Sequence, residues 1–500
     1  MRTTLEVVRY YAAHTPAKIA LQWADCKQTY RDLLHTANAI SRSIEQHRIR
    51  VLALAVDNGA DWVAADLAAQ IAAVTLVPLP AFFSAEQVRH AVADSGADGL
   101  IVDARFSRHR AETASGIKTL ADLGDDLRLL RTSRVGSAVR LPAGTAKISY
   151  TSGTTGHPKG VCLSQSAMDS VAQSLWSATA QLELTRHLCL LPLATLLENI
   201  AGVYAPLRNG AEIAVPSLRE IGFEGSTGID MQRFLACISN YEPNSIILLP
   251  QTLLALVTAL EKGAPRPKSL RFAAVGGARV STALLKRADR VGLPVYEGYG
   301  LTECASVVAL NTPTARRIGS VGRVLPHARI RIDAHSQIHV GGATMSGYAG
   351  ETQCAPHEIA TGDIGHIDAE GFLHISGRRK NIFITSFGRN VSPDWVETEL
   401  TRQHPIAQAA LFGEARPWNV AVLVPTTEAA GSDEIQAAVD EINTELPDYA
   451  RVGEWIRADE RFTAANGLLT ANGRNRRAAI WGRYGCRIDA RYCDSISDSA

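Results

Sequence analysis

Ala146-Lys147-Ile148-Ser149-Tyr150-Thr151-Ser152-Gly153-Thr154-Thr155-Gly156-His157-Pro158-Lys159-Gly160 reads as a strand running into a glycine-rich loop. Glycines let a backbone turn its N–H groups toward an anion, the Thr and Ser hydroxyls add donors, and Lys159 brings a point charge. Such a loop suits a polyphosphate, so nucleotide chemistry is the first expectation. The spacing departs from the Walker pattern, because His157 and Pro158 separate Gly156 from Lys159 and a glycine follows the lysine. A P-loop NTPase is therefore not expected. A helix is predicted over Met168 to Thr179, just beyond the loop, and another over Ser84 to Ser95, opening on a serine with Glu86 and Gln87 in its first turn.

Away from the loop, apolar runs such as Val51-Leu52-Ala53-Leu54-Ala55-Val56, Gly99-Leu100-Ile101-Val102 and Ser245-Ile246-Ile247-Leu248-Leu249 are short and bounded by turn signals. Separated by helical patterns, they give the rhythm of an α/β protein with a parallel sheet covered by helices. A smaller β-rich piece follows, since Arg329–Ile332, Gln337–Val340 and Gly371–Ile375 alternate in polarity between Gly and Asp; a compact barrel-like subdomain is expected there. After Gly377-Arg378-Arg379-Lys380-Asn381 the pattern changes again, to a small α+β region. The domain boundary is placed at Lys380, giving residues 1–379 and 380–500. A chain of 500 residues exceeds what one hydrophobic core supports, which agrees with two domains.

Composition excludes several partners. With 51 basic and 50 acidic residues the formal net charge is +1, so no overall field draws in nucleic acid or an anionic membrane. The start, Met1 to His14, has no apolar signal core, and the most apolar window, Val63 to Pro80, holds Asp66 and Gln70; no integral membrane segment is expected. The eight cysteines are scattered without metal-ligand spacing, and a cytoplasmic location fits them. Only nine of the basic residues are lysines, with none beyond Lys380.

A second motif, Tyr296-Glu297-Gly298-Tyr299-Gly300-Leu301-Thr302-Glu303, joins an aromatic face, a hydroxyl and a carboxylate to a glycine turn. With Thr361-Gly362-Asp363, Gly377-Arg378 and Gly467-Leu468-Leu469-Thr470-Ala471-Asn472-Gly473-Arg474, the set resembles the adenylate-forming (AMP-binding) superfamily of acyl-CoA synthetases, luciferases and peptide-synthetase adenylation domains. The resemblance runs from Thr29-Tyr30-Arg31-Asp32-Leu33 to Arg477. Leu191-Pro192-Leu193-Ala194-Thr195-Leu196-Leu197-Glu198 and the segment from Gly377 to Pro393 are similar to blocks of the long-chain acyl-CoA synthetase branch.

The resemblance implies a large N-terminal domain of two helix-covered sheets plus a small β-barrel subdomain, and a small mobile C-terminal domain. It implies an acid–thiol ligase that needs ATP and Mg2+: a carboxylate attacks the α-phosphorus to give acyl-AMP and pyrophosphate, then CoA or another pantetheine thiol takes the acyl group. By resemblance Thr151, Ser152, Gly153, Thr154, Thr155, Gly156 and Lys159 hold the β- and γ-phosphates. Thr302 donates to the α-phosphate, and Glu303 helps hold magnesium, a hard cation that prefers oxygen. Tyr299 stacks on adenine within the Glu297-Gly298-Tyr299-Gly300 turn, and Gly276, Gly277 and Ala278 let backbone approach the base. Asp363 accepts the ribose hydroxyls with Arg378 beside it, Lys380 is the hinge, and Gly388 keeps a pantetheine channel open. The substrate implied is a fatty or other apolar acid; peptide-synthetase domains usually place an aspartate where this chain has Thr195, Leu196 and Leu197, so an α-ammonium would go unpaired.

Two residues depart from the pattern. Where the family's late motif ends in lysine this chain has Arg474, which keeps the charge in a bulkier planar fork. Thr195 stands where the branch has histidine. Three readings stay open from sequence: a CoA ligase, a ligase that hands the acyl group to a carrier-protein pantetheine or an amine, and a nucleotide-binding protein without ligase activity.

Overall fold

The computed structural model describes residues 2–103, 118–124, 126–132, 139–151, 159–224, 228–351, 355–386, 389–470 and 473–493. Its first sheet has eight strands, in spatial order Gly347–Tyr348, Lys159–Ser164, Thr145–Thr151, Thr75–Pro78, Val51–Ala55, Gly99–Asp103, Leu127–Arg131 and Lys118–Asp122. Its middle strands run parallel. Being covered on both faces, they are apolar throughout rather than alternating, as Leu52, Ala53, Leu54 and Ala55 show. The second sheet has nine strands. Its parallel centre is Phe272–Val275, Ser245–Leu248, Arg186–Leu188, Glu212–Ala214 and Ile19–Trp23.

Helices Tyr30–Gln46 and Ala60–Ile71 pack between these layers in one apolar cluster that includes Leu33, Ile40, Trp62 and Leu67. The first of them starts where sequence chemistry dictates, because Thr29 and Asp32 form a reciprocal capping box. Ser84 and Gln87 do the same for Ala85–Ser95. The helix after the phosphate-type loop is Gln165–Thr179, beginning three residues ahead of the expected Met168, since the Ser164 hydroxyl accepts from the Ala167 N–H at 3.2 Å and sets the cap there. The apolar window from Val63 to Pro80 resolves into a buried helix and a buried strand, with Asp66 paired to Lys147 at 2.8 Å. Among the described residues no helix is long and apolar enough to cross a membrane.

The small β-rich unit is a four-stranded antiparallel sheet, Ala328–Ile332, Gln337–Gly342, Glu358–Ile367 and Leu373–Arg378. Beyond it lies a three-stranded sheet, Ile406–Phe412, Asn419–Pro425 and Val452–Arg457, covered by helices Pro393–Leu400, Ser432–Glu445 and Arg477–Cys493. Its two apolar clusters draw only on residues from Phe383 onward.

Candidate active site

The strand Thr145–Thr151 is anchored before it reaches the loop, where the Tyr150 hydroxyl donates to Asp94 at 2.7 Å and to the Ala91 carbonyl at 3.1 Å. Thr151 pairs across the hairpin with Lys159. Ser152, Gly153, Thr154, Thr155 and Gly156 lie outside the described residues, as does Gly388. Lys159 is exposed, with its ammonium 5.0 Å above the Tyr348 ring. The Tyr348 hydroxyl donates to Glu303 at 3.4 Å, so one tyrosine links the loop's lysine to the carboxylate of the second motif. Burial first, and the Glu303 charge next, push this phenol up to about 12. Tyr348 has no counterpart in the sequence reading.

The second motif is the strand Val295–Leu301 followed by the short turn Thr302–Cys304. The chain then reverses through Ala305 and Ser306, whose φ values of 52° and 101° lie in the left-handed region that side chains disfavour. A Cβ on Gly300 would lie 1.8 Å from the Ser306 carbonyl oxygen, so this position admits only glycine while the turn keeps its shape. Thr302 and Glu303 are half-buried at the turn. Among the described residues Glu303 accepts only the long bond from Tyr348, which leaves carboxylate lone pairs free. That donor chemistry fits a hard divalent cation.

On the opposite side of Tyr299, the phenol donates to Asp363 Oδ2 at 2.6 Å, and Arg378 Nε donates to Asp363 Oδ1 at 2.8 Å. Asp363 and Arg378 are cross-strand partners in the small sheet, so an inner strand and the edge strand beside it deliver both to the tyrosine. Asp363 is buried and Arg378 half-exposed, giving a fixed acceptor with a cation beside it. Burial, then the Asp363 charge, holds the Tyr299 phenol far above its ordinary value. Gly276 lies against the next strand, where a Cβ would come 3.1 Å from the Gly298 carbonyl, and Gly277 takes φ +81°. Gly277 and Ala278 are exposed. Beside them Arg279 donates to the carbonyls of Ile375 and Ser376 at 3.3 and 3.1 Å.

Arg474 comes from beyond the small sheet to join this group. Its Nη2 donates to the Gly277 carbonyl at 3.1 Å. Protein crowds the guanidinium and disfavours its charge, as does nearby Arg378, while Asp363, Asp394 and Glu303 favour it. The residue as a whole is still exposed to solvent. Contacts thus link Lys159 through Tyr348 to Glu303, beside Thr302 in the chain, and Tyr299 through Asp363 to Arg378, and the Arg474 charge feels Arg378, Asp363 and Glu303. Lys380 is exposed in the turn after Leu373–Arg378.

The Leu191–Glu198 block lies deeper. Asn58 braces it, donating to the Leu191 carbonyl at 2.9 Å and accepting from the Leu193 N–H at 2.8 Å. Thr195 turns its hydroxyl onto the Pro192 carbonyl at 2.7 Å, so it presents no free donor there. Glu198 begins a seven-residue π-helix and meets His187 Nε2 at 3.2 Å, wholly buried. With Cys189 these two form the one His/Cys/carboxylate group among the described residues close enough to share a cation, and burial raises the Glu198 carboxyl there.

Glu297 supplies a test of the electrostatics. Burial raises its carboxyl to about 8 against the opposing pull of Arg279. Because the folded-state value lies above the unfolded one, the native protein holds a proton that the unfolded chain releases. Stability from this group is therefore full below about pH 4.5 and falls as pH rises through about 8. Glu297→Gln is expected to flatten the decline in unfolding free energy between pH 5 and pH 8, read from urea melts; an unchanged slope would remove Glu297 as its source.

The whole fold is shared with solved ligases. An o-succinylbenzoate CoA synthetase from Bacillus subtilis, in complex with its acyl-adenylate intermediate, superposes with a TM-score of 0.77 at 23% identity, covering 96% of this chain and 98% of that one. The anthranilate CoA ligase AuaEII gives 0.78 at 18% identity, covering 96% and 97%. The chain belongs to the AMP-binding enzyme family, whose profile matches residues 8–349, with the AMP-binding enzyme C-terminal domain matching residues 380–495. Among curated relatives, the long-chain-fatty-acid–CoA ligase FadD15 of Mycobacterium bovis is 27% identical over 86% of each chain. The 2-succinylbenzoate–CoA ligase of Bacillus subtilis is 28% identical over 81% of this chain and 84% of its own.

Proposed function

We propose that this protein is an AMP-forming acid–thiol ligase that joins a carboxylic acid to CoA at the expense of ATP. The observation that carries the reading is Arg474 at the Gly277 carbonyl, because it brings a late cation to the cleft that already holds Glu303, Asp363 and Arg378. In the first half-reaction a carboxylate oxygen bonds to the α-phosphorus of ATP and the bond to pyrophosphate breaks. Both reactants are anions, so cations and donors aimed at the phosphorus and the leaving group lower the barrier. Lys159, with the Thr151–Gly156 segment of the motif, would hold the β- and γ-phosphates, and Thr302 would donate to the α-phosphate. Glu303 would hold Mg2+, which neutralises phosphate charge. Tyr299, Gly276, Gly277, Ala278 and the Glu297–Gly300 strand form the adenine side, and Asp363 with Arg378 takes the ribose. In the second half the thiol sulfur bonds to the acyl carbon and AMP leaves.

The acid is proposed to be fatty or otherwise apolar. Leu193 and Leu196 are buried beside a Thr195 whose hydroxyl is already used, and FadD15 is a ligase of long-chain fatty acids by name. Residues 1–379 and 380–500 are proposed as separate bodies hinged at Lys380, a division supported by apolar clusters that do not mix across it. The consumption of ATP and CoA, with Cys26, Cys162, Cys189, Cys237, Cys304 and Cys486 free, favours a cytoplasmic site. The experiment is acid-dependent ATP–pyrophosphate exchange across short, medium, long and aromatic acids, followed by addition of CoA, a pantetheinylated carrier protein or an amine. Exchange with an apolar acid and a thioester with free CoA are expected. Binding of ATP without exchange for any acid would leave a nucleotide-binding protein instead, and product only with carrier protein or amine would change the acceptor.

A further inference from the structure

Arg474 lies on a loop, and a loop cation is useful only if something fixes its approach. Thr470 and Arg474 close a tight reversal, with the Arg474 N–H on the Thr470 hydroxyl at 3.1 Å and the Thr470 N–H on the Arg474 carbonyl at 2.8 Å. That reversal is local and by itself sets no direction relative to the rest of the chain. The bond from Arg474 Nη2 to Gly277 is a single contact at the far end of a flexible side chain.

Direction comes from two of the three residues that follow. Asn475 Nδ2 donates to Glu397 Oε2 at 3.2 Å and to the Ala409 carbonyl at 2.8 Å. Arg477 Nη2 lies 2.7 Å from both oxygens of Glu397 and 3.1 Å from Asp394, while its Nη1 reaches the Leu411 carbonyl at 3.0 Å. Glu397 also accepts from the Leu411 N–H at 2.7 Å. One buried carboxylate on helix Pro393–Leu400 thus ties the loop, the first turn of the helix Arg477–Cys493 and the strand Ile406–Phe412 to a single point. Charge-assisted bonds to a buried acceptor are the strong kind, and removing one partner leaves the other uncompensated.

We propose that Glu397 is a positioning residue for acid activation, acting through Asn475 and Arg477 to hold the loop that presents Arg474 to the nucleotide cleft. The inference rests on the reading that the Arg474 guanidinium takes part in forming the acyl-adenylate. Burial lifts the Glu397 carboxyl to about 7 against the opposing pull of Arg477.

The test separates the half-reactions. Wild type, Glu397→Gln, Arg474→Ala and the double variant are compared in acid-dependent ATP–pyrophosphate exchange and, separately, in CoA thioester formation from pre-formed acyl-adenylate. Glu397→Gln is expected to slow exchange by about tenfold to a hundredfold, the scale of a misplacement near 1 Å, and to leave thioester formation within about twofold. The double variant is expected to be no slower in exchange than Arg474→Ala, because residues that act through one another are not additive. Normal exchange in Glu397→Gln beside an impaired Arg474→Ala overturns the positioning role. Equal losses in both half-reactions, or losses that add in the double variant, make Glu397 merely structural and overturn it as well. Normal exchange in Arg474→Ala instead overturns the underlying reading of the arginine, and the inference with it. If Glu397→Gln melts too low to assay, Asn475→Ala, which deletes one bond to Glu397 and one to Ala409, carries the same expectations.

Discussion

Arg474→Ala is expected to slow acid-dependent ATP–pyrophosphate exchange by about a hundredfold to a thousandfold, the range for removing one preorganised donor from a site of developing charge. The structure gives the reason in its charges. Asp363, Asp394 and Glu303 are all near enough to favour the guanidinium's charge, and Arg378 opposes it. The deletion therefore removes a cation from among carboxylates, just where a substrate carboxylate must approach a triphosphate. Arg474→Lys is expected to retain most of the rate, with a loss of about tenfold, because the charge survives but a point-like ammonium lacks the coplanar fork that serves the Gly277 carbonyl and a reacting oxygen together. Rates at saturating ATP and acid decide the matter. Wild-type exchange by Arg474→Ala would sink the catalytic role of the residue, whereas a change only in KM would make it a binding contact.

How far the sequence reveals this depends on how local each cause is. The strands Val51–Ala55, Gly99–Asp103 and Ser245–Leu248 are legible because burial on both faces demands unbroken apolar runs. The helix at Ser84 is legible because its cap bonds close within three residues. The start of Gln165–Thr179 was missed for the same kind of reason in reverse: Ser164 is one of several hydroxyls after the loop, and nothing in composition selects it as the cap. In the site, Tyr299 and Asp363 meet across 64 positions, a distance that no period records, so only the resemblance to a family brought them together. Tyr348 between Lys159 and Glu303 and Glu397 under the Arg474 loop belong to no quoted motif, and Lys147, legible only as part of a strand, gives no sign of its partner Asp66; each is fixed by strands or helices packing from distant parts of the chain. The division is physical: caps, periods and glycine turns are written locally, while the partners that hold catalytic groups in place are products of tertiary packing.

Gly300→Ala is expected to be as damaging as deleting the arginine, by a steric route. The added methyl would lie 1.8 Å from the Ser306 carbonyl oxygen, 2.6 Å from its carbonyl carbon and 2.8 Å from the Val307 Cα. All three are backbone atoms, so no rotamer change relieves the contact, and the strand and its return must separate. That return already passes through two left-handed non-glycine residues, Ala305 and Ser306, and Ser306 is buried with a hydroxyl that finds no partner among the described residues. Strain of this kind persists only where the surroundings enforce it, so there is little room for further adjustment. Overpacking typically costs about 1 to 3 kcal/mol, and a clash with backbone belongs at or above the upper end. The turn that must shift carries Thr302 and Glu303, and a displacement near 1 Å at reacting groups costs about a hundredfold in rate. The variant should therefore show both a lowered melting temperature and exchange slowed by about a hundredfold, with Gly300→Ser no better. Near-normal exchange in a stably folded Gly300→Ala would mean that Thr302 and Glu303 tolerate displacement, and would remove them from contact with the reacting phosphate.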